Sequence, residues 1–164
     1  MKTLRLALST VLVLFTTAAF AANDNQTSFE KLKALQGSWA GKSSEGSPVQ
    51  VSNRLISRGS VLMSEIHGQE DMISAFYLDG DRLLMTHYCA VGNQPRMIGT
   101  ISPDGKTITF NFLDATNVLE TQPGHMQRLT VTMLDDNHHT EDWDFLSKDG
   151  STHHHAIFDL QRTK

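Results

Sequence analysis

Short runs of alternating apolar and polar residues occupy most of the chain after residue 37. A period of two is typical of β-strands that bury one face. Turn residues separate the runs, and Asp79-Gly80, Asp104-Gly105 and Asp149-Gly150 are strong hairpin signals because Asp and Gly tolerate positive φ. The pattern predicts ten strands, over residues 38–43, 48–57, 60–67, 71–78, 82–89, 95–102, 106–113, 125–134, 139–146 and 152–162.

Ten antiparallel strands joined mostly by tight turns favour an all-β, up-and-down barrel over residues 37–164, because closure removes exposed strand edges. A two-layer sandwich is the alternative. Residues 22–36 are predicted to form a leader and a short helix, in which Thr27 and Glu30 have the spacing of a capping box. The apolar stripe of this helix consists of Phe29, Leu32 and Leu35. The sequence shows no internal repeat or second domain.

The first 21 residues are typical of a secretory signal peptide. Lys2 and Arg5 precede an uncharged, mostly apolar run of about 15 residues, and Ala19-Phe20-Ala21 supplies the small-residue cleavage pattern. A membrane anchor is the alternative, but the run is shorter than the ~20 residues that span a bilayer. We therefore expect cleavage after Ala21 and a periplasmic or secreted protein without stable membrane association.

Charge and cysteine content narrow the function classes. The 14 basic and 18 acidic residues give a net charge of −4, which becomes −6 when Lys2 and Arg5 are removed. An acidic chain without a Lys/Arg cluster is not expected to bind nucleic acid. Cys89 is the single cysteine and lies in an apolar stretch, which favours a buried, inert thiol over a nucleophile.

Strand parity brings several polar side chains to the inner face together with aromatic ones. His87, His139, Glu141 and His154 are predicted to face inward, Glu65 is a further candidate, and the apolar walls include Trp143, Phe145, Phe158, Phe110 and Met133. Buried polar groups must be hydrogen-bonded or hydrated. These groups either satisfy one another or line a wet cavity that orients a ligand.

Leu35-Gln36-Gly37-Ser38-Trp39-Ala40-Gly41 resembles the start of calycin-type barrels, in which a short helix runs into a Gly-x-Trp strand. The mature chain is also similar to an uncharacterised bacterial family of lipocalin-like domains, often exported. Thr86-His87-Tyr88-Cys89 and Gly92-Asn93-Gln94-Pro95-Arg96-Met97 carry that similarity. The resemblance implies a barrel with an internal cavity but no established activity. Trp39 is expected mainly to plug the barrel floor.

A more distant resemblance concerns haem. His153-His154 and Ala156 resemble the last strand of the nitrobindins, where a histidine ligates haem iron. The resemblance implies that His154, the inward member by parity, is the candidate ligand. No other cofactor is implied.

Two surface groups also carry possible chemistry. His153 and His155 share the outer face with Asp142 and Asp144, so they form either a zinc site or a row of cross-strand His–Asp pairs, and the pairs are favoured. Arg96 lies near a strand start and either clamps an anionic ligand at the barrel rim or forms a surface salt bridge.

The sequence favours a protein that binds a small, partly apolar or amphipathic ligand inside the barrel. A haem protein using His154, an enzyme using the internal His and Glu groups, and an interaction module with a filled barrel are the alternatives. No nucleophile elbow, phosphate loop or Cys-x-x-Cys motif occurs. The candidate ligand-binding residues are His87, Arg96, His139, Glu141, Trp143 and His154.

Overall fold

The computed structural model describes residues 18–163, with side chains from Asn25 onward. The predicted signal peptide lies almost wholly outside this range. Within it, no helix is long and apolar enough to cross a bilayer. The elements are α1 (Ala18–Lys33), β1 (Gly37–Ser43), β2 (Pro48–Ile56), a 3₁₀ turn (Ser57–Gly59), β3 (Val61–His67), β4 (Met72–Asp79), β5 (Arg82–Tyr88), β6 (Gln94–Ile101), β7 (Thr107–Thr116), β8 (Gly124–Asp135), β9 (His138–Ser147) and β10 (His153–Arg162).

The ten strands form one closed antiparallel barrel. Each strand pairs with the next along the chain, and β10 returns to pair with β1. The predicted up-and-down barrel is therefore confirmed, and the sandwich alternative is wrong. Closure brings the backbones of β1 and β10 close together at Gly41, where an added Cβ would lie 1.7 Å from the carbonyl oxygen of Asp159. Only glycine fits that position.

Hairpin register follows the turn residues. Ile101 pairs with Ile108 and Gly99 with Phe110 around Asp104-Gly105, as the turn predicts. At Asp149-Gly150, the Asp149 carboxylate accepts hydrogen bonds from Ser147 Oγ (2.6 Å) and from the backbone N–H of Ser151 (3.0 Å). The hydrogen bond from Ser147 is the largest of several that lower the pKa of Asp149 to about 2. Asp149 thus stays charged and holds the turn.

Helix α1 covers one end of the barrel, which we call the closed end. Its buried residues Phe29 and Leu32 join the barrel core. The helix begins at Ala18, well before Thr27, so the predicted capping box is wrong. The physical reason is that α1 already includes the residues before Thr27, so Thr27 lies inside the helix, where it has no helix N-terminus to cap. Glu30 instead accepts hydrogen bonds from Gln26 and Lys33.

Trp39 joins the helix to the barrel floor, as expected. Its side chain is 1% exposed, and its indole N–H donates to the carbonyl oxygen of Leu35 at 2.7 Å. The Arg162 guanidinium lies over the indole, 4.2 Å from the ring centroid. Arg162 also donates to the carbonyl oxygens of Ala34 (2.9 Å) and Gln36 (2.7 Å). One side chain from the last strand therefore satisfies carbonyls at the end of α1 and covers Trp39.

Replacing Arg162 by Lys should lower the free energy of unfolding by about 2 kcal/mol, because an ammonium group cannot reach both carbonyls and cover the indole at once. Urea denaturation followed by tryptophan fluorescence measures this change. Arg54→Lys is the control, since Arg54 is exposed on the outer wall, and it should cost less than about 0.5 kcal/mol. Equal losses in the two variants would contradict this role of Arg162.

Candidate functional site

The six candidate residues fall into three places. His87, His139, Glu141 and Trp143 are buried and face inward, with exposures of 0%, 0%, 5% and 3%. His154 is exposed near the start of β10, and Arg96 lies on the outer wall. Glu65, a further inward candidate, faces outward. Side chains alternate between the two faces of a strand, and its neighbours on β3, Ser64 and Ile66, are the buried ones. Glu65 lies 3.4 Å from Arg54 instead.

Glu141 is the centre of the buried polar group. Its Oε2 accepts a hydrogen bond from the Trp143 indole N–H at 3.0 Å, and its Oε1 lies 3.3 Å from His139 Nε2. The His139 ring in turn packs edge-on against Trp39, with centroids 4.3 Å apart. Both carboxylate oxygens therefore contact neighbouring side chains, and neither is directed at a cavity.

His87 extends this group across the barrel. Its Nδ1 lies 2.9 Å from Ser74 Oγ, and its ring packs against Trp143 with centroids 4.8 Å apart. Burial lowers the pKa of His87 to about 4, because the charged imidazolium loses its hydration inside the barrel. His87 is therefore neutral at pH 7. The Ser74–His87 pair is fully buried, so Ser74 is not available to a substrate.

Of the two alternatives that the sequence leaves open, these contacts favour polar groups that bond to one another over a wet cavity. Among the described buried side chains, four polar atoms have no hydrogen-bond partner: His87 Nε2, His139 Nδ1, Asn53 Oδ1 and Asn93 Oδ1. The apolar residues of the barrel core, such as Leu129 and Met97, are 0% exposed. The interior thus holds the polar groups that parity predicts, enclosed in a packed core.

His154 has the predicted parity but lies at the barrel rim. His154 pairs with Phe145 across the β9–β10 ladder. His154 is exposed, and so are its neighbours His153 and His155. On its inner side, Trp143 and Phe158 belong to the packed core. The residues around His154 therefore do not fit an enclosed haem pocket.

Arg96 forms a surface salt bridge. A register shift between Arg96 and Met97 aligns Arg96 with Asp114, and the guanidinium donates to both carboxylate oxygens. The hydrogen bond to Asp114 raises the pKa of Arg96, and the same bond lowers the pKa of Asp114. The pair lies on the outer wall beside Thr86, away from the barrel interior.

The outer histidines form cross-strand pairs with aspartates. His153 Nδ1 lies 2.7 Å from Asp144, and His155 Nδ1 lies 3.0 Å from Asp142. Arg128 also approaches Asp144, at 3.4 Å. Among the described residues, no group of three or more His, Cys, Asp and Glu side chains is arranged to hold a metal ion. The geometry matches the favoured prediction of His–Asp pairs.

The end of the barrel opposite α1, which we call the mouth, is half covered. Here the β7–β8 loop folds against the β5–β6 turn. Asn93 is fully buried and donates to the carbonyl oxygen of Gly124 at 2.8 Å, while Gln122 Nε2 donates to the carbonyl oxygen of Val91 at 3.0 Å. These amide side chains close the mouth above β5 to β8. Asn93, which belongs to the segment 92–97 that carries the family resemblance, therefore has a structural role.

The other half of the mouth contains a pocket of about 320 Å³, which we call the mouth pocket. This volume lies at the lower end of the ~300–1,000 Å³ typical of small-molecule sites. Side chains of β2, β3, β4 and β10 form its floor, and the β1–β2 and β3–β4 turns form its rim. The floor includes Val49, Ile66, Met72, Ala156 and Phe158, and the polar lining residues are Ser43, Glu45, Ser47, Gln69 and Glu70.

A hydrogen bond joins the two turns of the rim. Gln69 Nε2 donates to Ser47 Oγ at 3.1 Å, across 22 residues of sequence. None of the six sequence-derived candidates lines the mouth pocket. Strand parity identifies floor residues such as Phe158. The rim residues lie in turns, where no alternating hydrophobic pattern shows which way a side chain points.

Cys89 was expected to be buried, but it is a partly exposed free cysteine at the end of β5, near the mouth. Burial is the largest of the influences that raise the pKa of its thiol. The protonated form therefore predominates at neutral pH, which agrees with an inert thiol.

Comparison with known proteins identifies the fold and not the chemistry. No protein-family model matches the chain, and no curated protein matches it. Among solved structures, the crystal structure of Rv2717c from M. tuberculosis is similar, with a TM-score of 0.60 over 84% of this chain and 98% of that chain. The two share the barrel. At 15% sequence identity, the likeness carries no information on ligand or activity.

The low pKa of His87 predicts a specific pH dependence of stability. Its folded-state value of about 4 is below the ordinary 6.5, so protons favour the unfolded chain. The stability that comes from keeping His87 neutral is fully present above pH ~6.5. As the pH falls towards 4, the free energy of unfolding decreases by an amount on the order of 3 kcal/mol. The free energy of unfolding, measured by urea denaturation, should fall between pH 7 and pH 4 in both proteins. The fall should be smaller in His87→Gln than in the unmodified protein, by about that amount.

His154→Gln is the control for this experiment, because His154 is exposed. Its stability should follow that of the unmodified protein across the same pH range. Parallel pH profiles for the unmodified protein and His87→Gln would show that burial does not perturb His87.

Proposed function

We propose that this protein binds a small, partly apolar ligand in the mouth pocket. The observation that carries the proposal is a pocket with an apolar floor inside an otherwise packed barrel. Val49, Ile66 and Phe158 line the pocket and also belong to the hydrophobic core of the barrel. A preformed pocket of this kind binds without the cost of ordering its walls.

The polar rim supports orientation of a ligand. Ser43, Ser47 and Gln69 provide hydroxyl and amide groups within one pocket lining. Such groups, placed around an apolar floor, fix the direction of an amphipathic molecule. The Gln69–Ser47 hydrogen bond connects the two turns of the rim.

The buried His and Glu groups support a binding protein more than an enzyme. General acid–base catalysis needs a side chain within reach of the substrate. Glu141 and His139 instead pair with each other at 3.3 Å inside the core. In this account, the candidate residues from strand parity stabilise the barrel, and the mouth pocket contacts the ligand. Export to the periplasm or the cell exterior, with a signal peptide of residues 1–21, is part of the proposal.

Native mass spectrometry of the protein purified from its own host tests the proposal. We expect the barrel to retain a small molecule. Ala156→Leu adds volume to the pocket floor and should abolish retention, whereas Ala75→Leu is a matched control. Ala75 pairs with Thr86 on the outer wall and does not line the pocket. Retention of the same molecule by Ala156→Leu, or no bound molecule in any preparation, would contradict the proposal.

A further inference from the structure

The mouth pocket combines an apolar floor with carboxylates and no cation. Glu45 and Glu70 are its only charged lining residues, and they come from the two turns of its rim. Both are exposed. Among the ion pairs of the described residues, none includes either glutamate. Their negative charges are therefore not neutralised by a protein partner.

Basic side chains near the mouth do not offset this charge. Arg96 is paired with Asp114 on the outer wall, and Lys148 is paired with Glu120 in the β7–β8 loop. Lys42 precedes the inward residue Ser43 on β1 and is exposed on the outer face. The charged residues that line the pocket are therefore both acidic, and the floor beneath them is apolar.

We propose that the mouth pocket selects small apolar cations, in which a primary or quaternary ammonium group is attached to a short apolar body. This inference rests on the proposed function and adds the ligand class. The apolar body contacts the floor formed by Val49, Ile66 and Phe158, and the ammonium group lies at the rim near Glu45 and Glu70. A carboxylate or phosphate group in the same place meets two like charges.

The size of the preference follows from simple electrostatics. A charge pair at about 4 Å in water contributes about 1 kcal/mol, and exposed pairs contribute less. Two rim carboxylates should therefore make a cation bind about three to ten times more tightly than a neutral molecule of the same shape. The preference should decline with added salt, because exposed charges are screened.

Three matched probes separate charge from shape: benzylammonium, benzyl alcohol and benzoate. Their binding to the full mature protein is measured by amide chemical-shift changes in NMR titrations at low and high salt. We expect shifts at residues of the mouth pocket, with affinity falling from benzylammonium to benzyl alcohol to benzoate. In the double variant Glu45→Gln/Glu70→Gln, benzylammonium should bind no more tightly than benzyl alcohol.

Glu120→Gln is the matched control. It removes the same charge at the same end of the barrel, but Glu120 does not line the pocket, so the preference for the cation should persist. Equal affinities of the cation and the alcohol for the unmodified protein would overturn the charge inference while leaving the proposed function intact. A preference that survives the double variant would also overturn it. Failure of all three probes to bind at the mouth would refute both proposals.

Discussion

The packing of Trp39 is the constraint on which the rest of the structure depends. This side chain contacts the end of α1 through its N–H, Arg162 of β10 through its ring face, and His139 of β9 through its edge. The first strand, the last two strands and the helix therefore meet at a single indole. A barrel has to bring its first and last strands together, and Trp39 supplies the buried contact that does so at the closed end.

A chain of contacts between interior side chains begins at Trp39, at the closed end of the barrel. His139 leads from Trp39 to Glu141, Glu141 to Trp143, and Trp143 to His87. An unsatisfied buried polar group costs about 1–3 kcal/mol. The hydrogen bonds of Glu141 with His139 and Trp143 satisfy its carboxylate and so stabilise one arrangement of the core. The chain of contacts also fills the barrel interior. The space available to a ligand is left at the mouth, over β1 to β4 and β10.

Much of the fold could be predicted from the sequence because turns and strand parity are local properties. Asp104-Gly105 sets the pairing of Gly99 with Phe110, and this pairing places both residues on the inner face. The same parity correctly brings His87, His139, Glu141 and Trp143 inward. The beginning of α1 could not be predicted from Thr27, because the capping-box spacing occurs inside a helix that starts earlier.

The candidate site was less accessible to sequence reasoning, for physical reasons that differ among the residues. Parity gives the face of a strand but not the depth, so it does not show that His154 lies at the rim and Glu141 in the core. Arg96 aligns with Asp114 only because the register shifts beside it. Glu45 and Glu70 lie in turns, where side-chain direction depends on backbone conformation and not on a repeating pattern.

The location of the binding site is the central claim, and a crystal structure with 4-bromobenzyl alcohol tests it most directly. Anomalous scattering from bromine marks the ligand without ambiguity. The account predicts a bromine peak in the mouth pocket, over Val49, Ile66 and Phe158. A peak inside the barrel between His87 and Glu141 would contradict it, as would bromine found only on the outer wall.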